Sequence, residues 1–310
     1  MKKEVPLGPF FSHALFFDGG AVVCTAGSEM LQCTIRYFHT FLAKISNLVS
    51  ITCYMRYPSM AIYDNKYIKI YNNTDKVLYA DGLSIVGSAF QTVDKQDYTP
   101  NIMKEAMAVS AILTIPGNGT EYPVNPGEYI IIADNGINHQ AQNSNSIDLS
   151  KADFEIFYED SDDIDNHEVP NMLTPYGKFL LHNRGFNSYA IARLGDIEKF
   201  LQDYTYDYEW LFVFEEYQIP CEESCYKVPN EMIVDAVNLS VKSEFQWIVT
   251  SPTIDMGWTY CGVIDGDENR YGKSVLRKTF MTTEEGREIL QDTNNSTEDF
   301  TPEATPSLKK

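Results

Sequence analysis

Five consecutive residues, Asp265-Gly266-Asp267-Glu268-Asn269, place oxygen-bearing side chains at the first, third and fifth positions of a calcium-loop pattern. The sixth position, where such a loop needs glycine, holds Arg270. The twelfth, where it needs a bidentate glutamate, holds Leu276. The segment is therefore expected to be a polar hairpin loop, and Asp265, Asp267 and Asn269 are its weak candidate metal ligands. Asp160, Asp162, Asp163 and Asp165 offer a second cluster of carboxylates. Cys221 and Cys225 are two thiols with three residues between them. Zinc would need two further ligands, and Cys261 and His182 lie 36 and 39 residues away. A loop disulfide or two idle thiols is the simpler reading. The five histidines fall in no His-Glu-x-x-His arrangement. There is no Gly-x-Ser-x-Gly and no phosphate-binding glycine-rich lysine loop, so no cofactor is expected. Acid pairs abound, yet none is singled out as a glycosidase pair. Trp210, Trp247 and Trp258, with 20 tyrosines, could build a sugar-stacking platform, although core packing competes for the same rings. Within the 250–260 loop, Trp258 and Tyr260 are the first candidates for ligand contact.

The elements that would position these groups read mainly as strands. Residues 12–17 and 21–25, around Asp18-Gly19-Gly20, form a hairpin pattern. Leu31, Ile35, Phe38, Leu42, Ile45 and Val49 step by four and three, which predicts one amphipathic helix with Ser28 as its N-cap. From residue 50 onward, β-branched and aromatic runs alternate with Gly, Pro, Asn and Asp. Strands are predicted over 51–56, 67–71, 77–80, 83–86, 112–115, 129–133, 188–194, 210–214, 232–237, 245–249 and 275–279. Short helices are predicted over 101–109 and 196–202. Residues 153–168 carry eight acids and no base and read as a solvated loop. Such spacing of short strands indicates an all-β sandwich or barrel.

Charge bounds the partners. The 310 residues hold 44 acids against 24 Lys and Arg, a formal net charge of −20. A phosphate footprint needs clustered bases, so nucleic acid and anionic membrane are disfavoured. Residues 1–65 carry four acids and five bases, so the acidity belongs to the chain from 66 on. This step marks a domain boundary. Lys2 and Lys3 precede an apolar stretch that Pro6, Pro9, His13 and Asp18 interrupt, so no clear signal peptide is read. The run 21–24 only loosely fits a lipobox. No run of 18 apolar residues exists, and no transmembrane span is expected.

Six phrases in order resemble lamin-tail domains. They are Lys66-Tyr67-Ile68-Lys69-Ile70-Tyr71-Asn72-Asn73 with Tyr79-Ala80-Asp81-Gly82-Leu83; Pro126-Gly127-Glu128-Tyr129 and its apolar run; Asn183-Arg184-Gly185-Phe186-Asn187; Ile233-Val234-Asp235-Ala236-Val237; Ser274-Val275-Leu276-Arg277; and Asp292-Thr293-Asn294-Asn295-Ser296-Thr297-Glu298-Asp299-Phe300. The chain is most similar to an uncharacterised, Bacteroides-type bacterial family of lamin-tail-like domains of unknown function. Lys69 stands where that pattern carries an acid, and residues 1–46 do not resemble the family's N-terminal module. The resemblance implies an immunoglobulin-like β-sandwich, a cell-surface or periplasmic location and no catalytic residues. Asp235, on an apolar strand, would need a partner if buried, with Arg277 or turn amides to supply it. The expected organisation is a hairpin plus helix over 1–46, a lamin-tail-like sandwich over 47–300 and an extended tail over 301–310. The expected function is a non-catalytic surface or periplasmic module that binds protein or glycan. A secreted polysaccharide hydrolase with its site in the insertions, or a purely structural domain, are the alternatives.

Overall fold

The computed structural model describes residues 66–309 apart from 142, 143, 162 and 183, with Glu268 as backbone only. Of residues 1–65 it describes the backbone of five strands. The chain divides into two units, Met1–Leu42 and Ala43–Lys310. The first unit is an antiparallel meander of Glu4–Val5, His13–Phe17, Gly20–Gly27 and Met30–Arg36. The expected helix is corrected here: Met30–Arg36 and Ala43–Ser50 are both strands. Leu31, Cys33 and Ile35 alternate with Gln32, Thr34 and Arg36, and that period of two prevails over the helical spacing. The predicted strand over 51–56 lies outside the described residues.

The second unit is built from two large sheets. The first has the order Phe154–Glu155, Tyr129–Ala133, Tyr67–Asn72, Ala43–Ser50, Lys273–Arg277 and Phe300–Ala304. The second runs Thr205–Phe214, Tyr217–Pro229, Ala106–Thr114, Leu83–Gln91, Asn187–Arg193 and Ile233–Val237, with Leu173–Tyr176 also paired to Ala106–Thr114. One core joins them. Ile68, Ile70, Ile130, Ile132, Val275 and Phe300 of the first sheet meet Leu83, Ile85, Leu113, Tyr189, Ile191 and Val237 of the second. The fold is therefore all-β, as expected, with inward residues at alternate positions. The helix Ile197–Asp203 covers the outer face of the second sheet through Phe200, and Asp196 caps it by accepting from the Lys199 amide at 3.0 Å.

Several expectations need correction. Residues 106–109 are strand rather than helix: Ala106–Thr114 is paired on both sides and buried on both faces, and that tertiary pairing overrides the helix propensity of its Ala and Met residues. Residues 245–249 form no strand. The 153–168 segment is not wholly solvated: Glu155 is fully buried and accepts from the Gly136 and Asn166 amides, each at 2.7 Å. Burial pushes its carboxyl up. Within the segment expected to be extended, Phe300–Ala304 pairs with Lys273–Arg277 at the edge of the first sheet.

Arg277 is the buried hub of this closure. Its Nη2 donates to both oxygens of Asp235 at 2.9 and 2.7 Å. Its Nη1 donates to the Gln291 carbonyl at 3.1 Å and stands 3.7 Å from Asp292 and from Asp299. The partner expected for Asp235 is therefore the one found.

His182 yields a pH prediction. Its Nδ1 accepts from the Arg184 and Phe186 amides at 3.3 and 3.4 Å. Burial, reinforced by the Arg184 charge, lowers its pKa to about 4. The unfolded imidazole protonates near pH 6.5 while the folded one resists. The stability this neutral imidazole contributes is thus present above pH 6.5 and lost as pH falls toward 4. Between pH 7 and 4.5 the wild type should lose about 1–2 kcal/mol more than His182→Gln in paired urea titrations. Equal losses in the two proteins would refute the assignment.

Candidate ligand-binding site

The Thr205–Phe214 strand carries Tyr206, Tyr208, Trp210, Phe212 and Phe214 at every second position, so five aromatic rings line one face. Opposite them on Tyr217–Pro229 stand Cys225, Glu223, Cys221, Ile219 and Tyr217. The inner half of this stripe is roofed by three rings from elsewhere. Phe90 ends the Leu83–Gln91 strand, and Tyr98 and Trp247 come from loops. Tyr98 stacks on Phe90 with centroids 3.7 Å apart and planes 9° from parallel. Trp247 lies 5.9 Å from Phe90 and 6.0 Å from Tyr98. Tyr98 meets the Tyr208 and Trp210 rings at 5.5 and 5.7 Å.

Polar contacts hold the roof in place. The Trp247 indole N–H donates to the Gln91 carbonyl at 2.8 Å. Gln246 clamps the same loop, accepting from the Lys95 amide at 3.0 Å and donating to the Val93 carbonyl. Thr99 and Glu209 exchange two backbone hydrogen bonds of 2.9 Å, which fastens the Tyr98 loop to the strand edge. The Tyr206 hydroxyl donates to the Pro100 carbonyl at 2.7 Å. The outer side of this roof borders a cleft of about 290 Å³, lined by Phe90, Tyr98, Tyr206 and Trp247 and by the polar Lys95, Gln96, Asp97 and Asn101. Burial pushes the Tyr98 and Tyr206 hydroxyls up to about 12, so both remain neutral hydrogen-bonding groups at pH 7. Phe90 and Tyr206 are buried, so the half-buried Tyr98 and Trp247 rings are the apolar surface open to a ligand, and the rim offers directional polar groups, which is the chemistry of a small-ligand or sugar site. A larger groove of about 740 Å³ runs past Lys69, Tyr129 and Arg287, with the Lys69 ammonium 3.7 Å from the Tyr129 ring centre.

Of the rings singled out from sequence, Trp247 and Trp210 belong here, whereas Trp258 and Tyr260, the first candidates for ligand contact, lie elsewhere. Trp258 stacks on Phe245 at 4.4 Å and 11°, and Tyr260 sits 5.8 Å from Trp258 with the Lys242 ammonium 5.1 Å over its ring. Thr297 holds Trp258: its hydroxyl accepts from the Trp258 amide at 3.1 Å and donates to the Trp258 carbonyl at 2.9 Å. This half-buried patch is a second aromatic surface. Asp265 and Asp267 engage their carboxylate oxygens with protein donors. Both Asp265 oxygens accept from Arg184 Nη1, at 3.0 and 2.7 Å. Asp267 accepts from the Asn269 amide and side chain and from the Val263 amide. Asp160 pairs with Lys178 and Asp165 with His167, while Asp162 lies outside the described residues. Among the described residues no group of three or more His, Cys, Asp and Glu could hold a metal ion.

Cys221 and Cys225 sit on one extended strand rather than in a loop, and both thiols are free. Four residues of strand span about 13 Å, beyond the reach of a disulfide. Burial pushes the Cys225 thiol up to about 12, so it is no nucleophile at neutral pH. Phe90 and Tyr98 escaped sequence reasoning because nothing local marks them. The period-two aromatics from Tyr206 to Phe214 were the available signal.

A family model described as "Protein of unknown function (DUF4876)" matches residues 125–307. That span includes the aromatic strand, Trp247 and Trp258 but not Phe90 or Tyr98. Among solved structures, the crystal structure of a DUF4876 family protein from Bacteroides thetaiotaomicron VPI-5482 is similar, at 20% identity and a TM-score of 0.68, over 96% of this chain and 82% of that one. No curated protein matches the chain.

Proposed function

Because the chain belongs to the DUF4876 family, whose description assigns no activity, we propose on its own geometry that it is a non-catalytic cell-surface or periplasmic module that binds glycan in the Phe90–Tyr98–Trp247 cleft. The observation that carries this is the tight stack of Tyr98 on Phe90 beside the hydrogen-bonded Trp247 indole, under a rim of Lys95, Gln96, Asp97 and Asn101. Sugars present C–H faces to such rings and hydroxyls to such a rim. The net charge of −20 supports a neutral ligand over a polyanion. The six lamin-tail-like phrases support an immunoglobulin-like type for the sandwich and an extracytoplasmic setting. The described residues contain no helix long and apolar enough to cross a membrane.

The test is a glycan array with the full chain, followed by calorimetry on any hit. Trp247→Ala should weaken binding about 30-fold, the equivalent of roughly 2 kcal/mol for one lost ring face. Asn101→Ala, which leaves the rings intact, should also weaken it, by about fivefold. Trp258→Ala should bind as the wild type does. Silence across the array together with turnover on a polysaccharide panel would sink the binding reading and favour the hydrolase.

A further inference from the structure

Beyond the cleft the same aromatic strand leaves the body of the protein. Tyr217–Pro229 pairs with the sheet only through Tyr226, Lys227, Val228 and Pro229. The bridge between Thr99 and Glu209 is the outermost pairing of Thr205–Phe214 with another segment. Among the described residues, 210–221 therefore project as a two-stranded arm whose strands pair with each other alone. An isolated hairpin of this kind is marginal in water unless something covers a face.

The two faces of the arm differ. One carries Trp210, Phe212 and Phe214 beside Cys221, Ile219 and Tyr217, a two-by-three array without a charge. Phe212, Ile219, Phe214 and Tyr217 are 41%, 48%, 58% and 60% exposed. The other face carries Leu211, Val213, Gln218 and Pro220 along the arm and the acids Asp207, Glu209 and Glu222 at its root, while Glu215 and Glu216 occupy the tip. Residues 205–226 contain six acids and no base.

We propose that the aromatic face of this arm packs face to face on the same face of a second copy of the chain. Charge placement selects that occupant. In a two-fold pair the uncharged faces meet about 10 Å apart, as packed sheets do. Apart from Glu223 at the root, which accepts from the Tyr208 hydroxyl at 2.8 Å, the acids then lie outward or at the tip, those on the outer faces roughly 20 Å from their counterparts, more than a Debye length of about 8 Å at physiological salt. Pairing along the strand edges would instead set the tip glutamates of one copy against Glu209 of the other. The area is sufficient. At about half the surface an aromatic side chain buries in full, the face gives roughly 500 Å² per protomer and 1,000 Å² per pair, the lower bound for a specific interface. A patch of this size on a lone subunit marks an interaction surface.

Sedimentation equilibrium of the full chain between about 1 and 200 µM tests this, a range chosen for an interface at that lower bound. A monomer–dimer equilibrium is expected. The double variant Phe212→Glu, Phe214→Glu should raise the dissociation constant at least about 100-fold, since it buries two unpaired carboxylates per arm. Measured below the wild type's dissociation constant, its melting temperature should match the wild type, because neither side chain reaches the core. Val213→Glu, on the opposite face, should leave the dimer intact, and so should raising the salt. A monomer at the highest concentration would overturn the proposal. So would a dimer indifferent to the aromatic-face variant, or one equally broken by Val213→Glu.

Discussion

Replacing Arg277 by methionine lowers the free energy of unfolding by about 3–5 kcal/mol, the cost of stranding buried carboxylates without their cation. The expected effect is large because one guanidinium serves several segments. Asp235 is on the second sheet, whereas Asp292 and Asp299 lie in the closing segment, and all three stand within 3.7 Å of it. Arg277 is 4% exposed and Asp299 1%, so water cannot replace the lost donors. The guanidinium also lies 4.5 Å from the Phe300 ring centre, which adds a cation–π contact inside the core. Arg277→Lys keeps the charge but loses the fork that reaches Asp235 and Gln291 together, and should cost about 2 kcal/mol. Urea unfolding followed by fluorescence measures both. The double variant Arg277→Met, Asp235→Asn should recover more than 1 kcal/mol of the loss, a coupling the cycle reports directly. A loss below about 1 kcal/mol in Arg277→Met would mean the pair is dispensable.

Gly257→Ala should cost about 3 kcal/mol, although it adds a single methyl group. A Cβ at this position would overlap the Asn295 side-chain oxygen and come within 2.6 Å of the Thr297 amide nitrogen and 2.9 Å of that of Ser296. Asn295 caps the short helix Ser296–Asp299 by accepting from the Thr297 amide. The methyl group therefore displaces a cap and a backbone at once. The damage spreads to Asp255, which is buried and accepts from the Gly257 and Ser296 amides at 3.1 and 2.7 Å and from the Ser296 hydroxyl. Thermal unfolding gives the cost. The Trp258 fluorescence maximum should shift red as its anchor on Thr297 loosens. An unchanged melting temperature would show that this junction yields freely.

Much of this architecture was readable from residue order. The strand at Tyr129–Ala133 is an apolar run of five bounded by Pro126-Gly127, and its shortness and β-branched residues favour a strand over a helix; Ile130, Ile132 and Ala133 are buried while Tyr129 is exposed. Asp235 announced a buried partner because an ionised group on an apolar strand must have one. The stripe from Leu31 to Val49 misled because helical and extended periods coexist in it, and pairing with neighbouring strands decides between them. The cleft was the least legible part. Trp247 was visible as an available ring. Its stacking partners Phe90 and Tyr98 come from chain segments more than a hundred residues earlier, and no local pattern reports such an encounter. The arm was half visible: the strand was expected, but its extension past the sheet depends on where the neighbouring strand stops.

The pairing of Val49 with Ser274 joins positions more than two hundred residues apart, in the middle of the first sheet. During synthesis the Tyr67–Asn72 half of that sheet emerges long before its mate. Until the Lys273–Arg277 strand arrives, Ala43–Ser50 keeps one side unzipped, and the ribosome or a translocation channel must deliver nearly the whole unit before the seam can close. Contacts of such separation slow folding, into the millisecond-to-second range or beyond for β proteins. The vulnerable period of this molecule is therefore its birth. A holdase that shields the waiting edge should raise its yield more than any substitution that tightens the finished core.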